Sequence, residues 1–498
     1  MSSMHEQAMN YVYQQVLQRL LSYINRAERT ALQLLIQRLI VAAGGIEGIG
    51  DYRVLVAFSG GKDSAYVVAL MRAAQLSIAA RAPATFKLRV ANMRHAGMTS
   101  AVMGNIQRCY SALFLHDDPR VQLLMVDHPY IQNYEADLAF SSAGREQSRS
   151  DMLLAGHLTA GDARTTFCNA CYLSLAQFLG RAASWGEGVD AVVSGGSLKE
   201  QKQYATWVLR LARAHGQSVS QWHTLGLGHA LKTIDSIGRV YYRELYGEES
   251  MPSDFVLRPP DIPLAPVLLP VADLVGFKAE EHWRLLTDFL GFRFDDLAFG
   301  FSESDCANPL LMAHMRGLRA QFVQGRDYAD GIAEYLELAA AMMRRKRMPA
   351  HLILRALAAY DQPDKIEQRR MLAAGYAQEA FGLSETQLIS LLFAPFVDAG
   401  AGLEAFLRAC HPGMLVALAD LHRALSGHSA PDQVVQWLVD VSGLSLKGLQ
   451  NLYARARIDY SDERSIIARV RASDPDKARV LTFDPCTGET VAELISGR

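Results

Sequence analysis

The chain has 498 residues, a formal net charge of −2 and a pI near 6.7, and half of its residues are hydrophobic. This length predicts roughly three domains, and the near-neutral charge excludes a globally basic nucleic-acid-binding protein. No run of about 18 uncharged apolar residues occurs, and the start, MSSMHEQAMN, lacks the basic and apolar parts of a secretory signal. A cytoplasmic protein is expected.

The elements follow from periodicity in chain order. Residues 5–43 have helical periodicity and predict one or two helices. Four short apolar runs then alternate with helical segments, the pattern of a parallel sheet: YRVLVAF, FKLRVANM, VQLLMVD and DAVVSGG. Residues 134–166 have weak periodicity and predict a long loop that covers an active site or is disordered. From about 310 onward helix-like segments predominate, before two short strands around a Pro-Cys-Thr-Gly turn.

These elements predict an α/β fold, a doubly wound parallel sheet of the Rossmann-like type with flanking helical parts. The expected domains are an N-terminal helical segment at 1–48, the α/β domain at 49–310 and a C-terminal, mainly helical all-α domain at 311–498. The last of these has apolar faces that suit covering the active site, binding a partner or forming a homodimer. Its basic cluster MMRRKRM, at 342–348, is predicted to be a solvated helix face.

The segment VLVAFSGGKDS has the form of a strand that enters a phosphate-binding turn. A glycine pair after a strand allows a tight turn, and the amides that follow point toward the N-terminus of the next helix, where an anion is favoured. The segment is not a GxxxxGK[ST] loop, because Asp63 follows Lys62. Ser59 and Ser64 supply hydroxyl donors, and Lys62 can neutralise phosphate charge.

This turn resembles the SGGxDS signature of the PP-loop ATP pyrophosphatases. The resemblance implies that ATP binds with Mg²⁺, is cleaved between its α and β phosphates, and transfers AMP to a substrate oxygen. It assigns a catalytic role to Asp63. It assigns nucleotide binding to the loop, to the end of the second strand and to the glycine turn after the fourth strand, namely to Ser59, Gly60, Gly61, Lys62, Asp63, Ser64, Asn92 and Gly195.

Three of the six cysteines have a suggestive spacing: Cys168 and Cys171 form a C-x-x-C, and Cys306 follows far along the chain. A lone C-x-x-C suits a redox pair, half of a zinc site, or two cysteines on one helical turn. Three thiolates without a fourth ligand fit an iron–sulfur cluster with one open iron. Zinc binding and free-thiol chemistry stay as alternatives. The remaining cysteines are predicted to be core or incidental thiols: Cys109, Cys410 and Cys486.

Residues 50–315 resemble the PP-loop enzymes that form two-thiocytidine and two-thiouridine in tRNA, in which a C-x-x-C helix precedes a strand that ends in glycines. The resemblance implies a 4Fe–4S cluster held by Cys168, Cys171 and Cys306, with Cys168 and Cys171 also catalytic. One motif differs. Where that family has G-H-x-x-D-D after the fourth strand, this chain has SGGSLKE, and Glu200 is the candidate acidic residue.

The predicted function is therefore an ATP-dependent sulfur transferase that adenylates a carbonyl oxygen of a nucleobase-like substrate and replaces it with sulfur. A free base or other small molecule is favoured over tRNA, because the charge is near neutral and no RNA-binding module is recognisable. A sulfur donor protein or sulfide is the expected partner. The alternatives are an amidotransferase or ligase of the same loop class, which would transfer nitrogen, and a non-catalytic RNA-binding or scaffolding protein.

Overall fold

A computed structural model describes residues 3–127, 130–196, 198–214, 216, 226–247, 266–274, 279–295, 308–345, 348–472, 477–484 and 489–496. The description covers the backbone alone at 3–6, 169–172, 198–200, 214, 226, 279–281, 345, 477–484 and 489–496. The strands are β1 Arg53–Ala57, β2 Lys87–Arg94, β3 Val121–Asp127, β4 Tyr130–Asn133, β5 Ala191–Ser194, β6 Val267–Leu268, β7 Lys477–Asp484 and β8 Glu489–Ser496.

The helices up to residue 318 are α1 Ser3–Ser22, α2 Arg26–Ala42, α3 Lys62–Ala79, α4 Ser100–Ala112, α5 Ser142–Leu158, α6 Ala163–Phe167, α7 Asn169–Ser184, α8 Leu198–Ala214, α9 Gly226–Tyr246, α10 Ala279–Arg284 and α11 Pro309–Leu318. The later helices are α12 Tyr328–Arg345, α13 Ala350–Ala358, α14 Pro363–Phe381, α15 Glu385–Phe393, α16 Leu403–Cys410, α17 Leu418–Leu425, α18 Asp432–Ser442, α19 Leu446–Tyr453 and α20 Ile466–Ala472. Helices α10 and α11 continue as π-helical turns over Leu285–Phe289 and Arg319–Val323.

The first six strands form one sheet of order β4-β3-β2-β1-β5-β6. Strand β4 runs antiparallel to β3, whereas the other pairs are parallel. Val54 of β1 lies opposite Leu88 of β2 on one side and Ala191 of β5 on the other. The predicted α/β class with a mostly parallel sheet is thus confirmed. The strand order reverses between β1 and β5, and open α/β sheets bind ligands at such a switch point, outside the carboxyl ends of the strands.

The core of this sheet explains why β1 is an unbroken apolar run. Val54, Leu55 and Val56 have no exposed surface, as expected for a parallel strand that is covered on both faces. Helix α3 contacts β1, α1 and α2 and is buried on most of its surface. The predicted N-terminal helices are confirmed, and Leu20 and Leu35 belong to the same hydrophobic core as β1.

The chain divides into two compact units. Unit 1 comprises Met1–Phe140, Leu175–Asp235 and Arg258–Asp295, and it contains the six-stranded sheet. Unit 2 comprises Ser141–Ser174, Ser236–Leu257 and Asp296–Arg498. These units are interleaved along the chain, whereas the predicted domains are contiguous segments. The boundaries at 48/49 and 310/311 stay a prediction.

The predicted loop at 134–166 is wrong over most of its length, because it contains helices α5 and α6. Ser141 caps α5 by accepting the Gly144 N–H at 3.0 Å, and Asp162 caps α6 by accepting the Thr165 N–H at 2.9 Å. Residues 152–158 of α5 are buried without interruption. A segment that is buried on all sides has no apolar stripe, and residues 142–151 (SAGREQSRSD) are almost all polar, which is why periodicity failed to predict α5.

The C-terminal strands are confirmed as the antiparallel pair β7 and β8, with Lys477 opposite Ser496. Their predicted turn at 485–488 lies outside the described residues, and so does Cys486. In the basic cluster at 342–348, Met342 and Met343 are buried, Arg344 is exposed, and 346–347 are not described. In the part of the chain that the structure describes, no helix has both the length and the apolarity needed to cross a bilayer.

Candidate functional site

The predicted phosphate loop lies between the end of β1 at Ala57 and the start of α3 at Lys62. Gly60 adopts a φ of +82°, which disfavours any residue with a side chain. A Cβ at this position would also lie 2.6 Å from Cγ1 of Val102 and 3.1 Å from Cγ1 of Ile106, both in α4. The tight turn therefore requires glycine at position 60 for two independent reasons.

The two serines of the loop hold its shape. The Gly61 N–H donates to Ser59 Oγ at 3.3 Å, and the Ser64 hydroxyl donates to the Gly61 carbonyl at 3.0 Å. The two hydroxyl oxygens lie 3.0 Å apart. Because the Ser64 proton is directed to Gly61, the Ser59 hydroxyl is the donor between them. The loop is thus preorganised by its own side chains.

The start of α3 favours an anion. The first amides of a helix lack intrahelical partners and carry the positive end of the helix dipole, and Gly61 provides no side-chain cap. Lys62 is 8% exposed, and its Nζ lies 3.8 Å from Oδ2 of Asp63, whose side chain is 35% exposed. The Lys62 ammonium adds positive charge to the helix N-terminus where a phosphate would bind, and the Asp63 carboxylate offsets part of it.

Gly195 is brought directly against the loop. Ser194, at the end of β5, is the register partner of Ala57. A Cβ on Gly195 would lie 2.5 Å from Cβ and 2.8 Å from Cα of Ser64. The structure therefore places these two predicted nucleotide-binding residues together, at the point where the strand order reverses.

The turn after β5 repeats the local geometry of the phosphate loop. The Gly196 N–H donates to Ser194 Oγ at 3.3 Å, as the Gly61 N–H donates to Ser59 Oγ. The side-chain amide of Gln201, in α8, donates to the Gly196 carbonyl at 2.8 Å. Sequence reasoning missed this role of Gln201, although the repeated Ser-Gly-Gly was a visible signal. Ser197 lies outside the described residues, and Lys199 and Glu200 are described by backbone alone.

Asn92 is positioned by the protein itself. It has no exposed surface, its amide nitrogen donates to the Phe58 carbonyl at 2.7 Å, and its amide oxygen accepts from the Tyr110 hydroxyl. These bonds connect β2 to the end of β1 and to α4. These bonds use one of the two amide N–H groups and one of the two oxygen lone pairs, so the nucleotide contact stays a prediction and a positioning role has the direct support.

An ion pair joins the carboxyl ends of β2 and β3. Arg94 Nε lies 2.8 Å from Oδ1 of Asp127, its register partner, and both side chains are buried. The Arg94 guanidinium also donates to the Ala139 carbonyl at 3.0 Å. This network holds the carboxyl edge of the sheet in one arrangement, since a buried pair that loses one partner leaves an uncompensated charge.

Cys168 belongs to unit 2 and is 3% exposed at the end of α6. Nη1 of Arg164, one helical turn earlier, lies 2.8 Å from its sulfur. A guanidinium hydrogen bond stabilises negative charge on sulfur, which suits either a nucleophilic thiolate or a metal ligand. The spacing of four residues was a sequence signal for this contact, and sequence reasoning missed it.

For Cys171 and Cys306, the other two cysteines of the predicted cluster site, the structure describes no side chain. Cys171 lies in the first turn of α7, where only the backbone is described, and Cys306 lies outside the described residues. Within the described ranges, no group of three or more His, Cys, Asp or Glu side chains could hold a metal ion. The cluster with Cys168, Cys171 and Cys306 stays a prediction.

Two further cysteines have surroundings that suit inert thiols. Cys109 of α4 is buried in the core of the sheet unit, and this burial raises the pKa of its thiol well above the usual range. Partial burial also raises the pKa of the Cys410 thiol. Because the thiolate is the reactive form, neither position favours nucleophilic chemistry.

The chain was also compared with known proteins. No protein-family model, no curated protein and no solved structure matches it.

Proposed function

We propose that this chain is an ATP-dependent sulfur transferase that adenylates a carbonyl oxygen of a nucleobase-like substrate. The observation that best supports the proposal is the paired Ser-Gly-Gly turns after β1 and β5, in contact through Gly195 and Ser64. They lie at the switch point of a mostly parallel sheet, beside Lys62. This is where a doubly wound fold of the PP-loop class would hold the phosphates of ATP.

In the first step, the substrate carbonyl oxygen attacks the α-phosphorus of ATP, and the bond to the β-phosphate oxygen breaks. The products are an adenylated substrate and pyrophosphate. The amides at the start of α3 and the Lys62 ammonium would stabilise the charge that develops on the departing pyrophosphate. Asp63, which is partly exposed in the first turn of α3, is the residue that would hold the Mg²⁺ accompanying ATP.

In the second step, sulfur at the oxidation level of sulfide attacks the adenylated carbon, and AMP leaves with the former carbonyl oxygen. Cys168 supports a sulfur-handling role, because Arg164 stabilises negative charge on its sulfur. The donor set of Cys168, Cys171 and Cys306 suits a 4Fe–4S cluster chemically. Such a cluster, when bound, supplies an iron site that can carry sulfide. A persulfide on Cys171 is the alternative carrier: its outer sulfur would attack the carbon, and a thiol reductant would then cleave the S–S bond and form a disulfide with Cys171.

The loop alone is also compatible with a nitrogen-transferring amidotransferase of the same class, because adenylation is common to both reactions. The contact between Arg164 and Cys168 favours sulfur. A free base or another small molecule is preferred as the acceptor, with tRNA as the alternative, since the chain has a net charge of only −2. Both preferences are directly testable.

The test of the nucleotide chemistry has two readouts. Calorimetry with α,β-methylene-ATP measures binding without a substrate, and phosphorus NMR identifies the products formed from ATP with free bases or tRNA and sulfide. We expect AMP and pyrophosphate. Asp63→Ala and Ser64→Ala should abolish pyrophosphate release, whereas Asp51→Ala, an exposed aspartate of the same unit, should not. ADP and phosphate as products would refute the proposed reaction.

The sulfur step is tested by anaerobic purification, visible absorption, and iron and sulfide analysis. We expect bound iron and sulfide that are lost in Cys168→Ala and Cys306→Ala. An iron-free parent protein whose two cysteine variants keep full activity would exclude the cluster, and full activity in Cys171→Ala as well would exclude the persulfide route. Steep salt dependence of tRNA binding, without turnover of free bases, would instead identify tRNA as the acceptor.

A further inference from the structure

Unit 2 contains a cavity of about 220 Å³ that is partly open to solvent. One wall is the segment Thr159–Arg164, which comprises the connection between α5 and α6 and the start of α6, and another is α11 with the π-helical turn that follows it. Its charged lining residues are one aspartate and four arginines: Asp162, Arg164, Arg316, Arg319 and Arg471. None of these belongs to the nucleotide site proposed above.

The arginines carry their charge inside the protein. Arg164 and Arg471 are each 1% exposed, and Arg316 is 8% exposed. Arg471 Nε lies 3.1 Å from Oδ2 of Asp162, and Arg316 Nη2 lies 2.8 Å from Oε2 of Glu334. Four guanidinium groups around one small cavity create a positive potential there even though each has partners, because charge summed over a low-dielectric cleft is focused into it.

The rest of the cavity wall is apolar or carries hydroxyl groups. Met312, Met315 and Leu392 supply apolar surface, and Tyr335 and Tyr460 supply phenol rings. Pockets of this composition bind the apolar body of a ligand by contact and orient it through a few charged groups. Guanidinium groups match carboxylate and phosphate oxygens in geometry as well as in charge.

The segment that borders the cavity has an unusual backbone. Ala160 adopts a φ of +49°, in the left-handed region that residues with side chains rarely adopt, and Gly161 follows with a φ of +68°. A Cβ on Gly161 would lie 2.7 Å from Cδ2 of Leu392. This turn aims the Ala160 carbonyl at Arg319, whose Nη1 donates to it at 3.3 Å. Strained backbone of this kind is concentrated at ligand sites.

We propose that this cavity is a binding site for a small organic anion. The arginines hold its carboxylate or phosphate group, and its apolar body, no larger than one aromatic ring, lies against the methionines. The site is separate from the proposed nucleotide site, because it shares no residue with the loop at 59–64. A ligand bound there would contact Arg164 and thereby the environment of Cys168.

The test uses the full chain and two pairs of probes in titration calorimetry and thermal unfolding. Phenyl phosphate and benzoate combine a ring with an anionic group, whereas phenol and benzyl alcohol present the ring alone. We expect the two anions to bind and raise the unfolding midpoint, with affinity that falls as salt is added, and the two neutral probes to have little effect. No binding of either anion at millimolar concentration would overturn the proposal.

Variants locate the site. Arg319→Gln should weaken anion binding on the order of tenfold, as expected for the loss of a charge-assisted hydrogen bond, and Arg319→Lys should weaken it less. Arg408→Gln, an exposed arginine of the same unit, should leave binding unchanged. Unchanged affinity in both Arg319 variants, or loss of binding in Asp63→Ala, would show that the anions bind elsewhere. Pyrophosphate release is measured in a separate assay, so the anion site and the proposed sulfur-transferase reaction can each fail without affecting the test of the other.

Discussion

Replacing Gly195 with alanine tests the paired turns directly. The new methyl group would lie 2.5 Å from Cβ and 2.8 Å from Cα of Ser64, where carbon atoms in favourable contact are about 3.5–4.0 Å apart. Rotation of a side chain cannot relieve this overlap, because one of the two atoms is backbone and the other is attached to it. Either the turn after β5 or the first turn of α3 must move by about 1 Å.

The size of the effect follows from this geometry. Overpacking of a tight site costs about 1–3 kcal/mol, which corresponds to a decrease of roughly 2–10 °C in the unfolding midpoint. If the loop positions phosphate as proposed, a displacement of about 1 Å should lower the reaction rate by about 100-fold. We therefore expect a folded protein that binds α,β-methylene-ATP weakly and releases pyrophosphate slowly.

Gly413→Ala is the matched control, since no atom lies within 4 Å of a Cβ built at that glycine. Thermal unfolding, nucleotide calorimetry and pyrophosphate release should be measured on both variants in parallel. If Gly195→Ala matches Gly413→Ala in all three, the turns are not packed as described, and the argument for a nucleotide site between them fails.

Two further predictions concern stability. Asp118→Asn should lower the free energy of unfolding in urea by about 3–5 kcal/mol, because it leaves the buried guanidinium of Arg72 without its counter-charge, and neither side chain of the pair has exposed surface. Glu404→Gln, in an exposed pair, should lower it by less than about 1 kcal/mol. Equal losses in the two variants would contradict this reasoning. Burial raises the pKa of the Asp151 carboxyl from 3.8 to about 7, so the folded state binds this proton more tightly than the unfolded state, and stability falls as the pH rises from about 4 to 7. Asp151→Asn should abolish this decrease and stabilise the protein above pH 7 by about 1–3 kcal/mol, which is less than the full pKa shift implies because the residue is partly exposed. Parallel pH profiles of stability in parent and variant would contradict this prediction.

Elements with strong local signals were predictable. The apolar runs of β1, β2, β3 and β5 are strands, and the N-terminal helical pattern forms α1 and α2. Helix α2 even begins with a capping box, in which Asn25 and Glu28 exchange hydrogen bonds. Strands β4 and β6 were not predicted. They have four and two residues, too few for a period to be detected, and only pairing with β3 and β5 defines them.

Helices α5 and α6 illustrate a different limit. Their caps, Ser141 and Asp162, were visible in the sequence, but the continuous burial of residues 152–158 removed the periodic signal. Such burial depends on the neighbours that surround the helix, and α5 contacts α6, α14, α15 and α19. Periodicity describes a helix with an apolar side and a polar side, so it identified neither this enclosed segment nor the polar residues 142–151 that precede it.

By itself, the sequence determined the strand, glycine turn and helix of the predicted phosphate loop, because β1, the glycine pair, Lys62 and the start of α3 are neighbours along the chain. It also determined the candidate cysteines and the mostly parallel sheet. Only the tertiary structure decided that Gly195 contacts Ser64, that Asn92 is occupied by internal hydrogen bonds, and that Arg164 and Arg471 line one cavity. The physical reason is range: turn geometry and capping act between adjacent residues, whereas strand pairing and burial bring together residues far apart in the chain, which a local pattern does not encode.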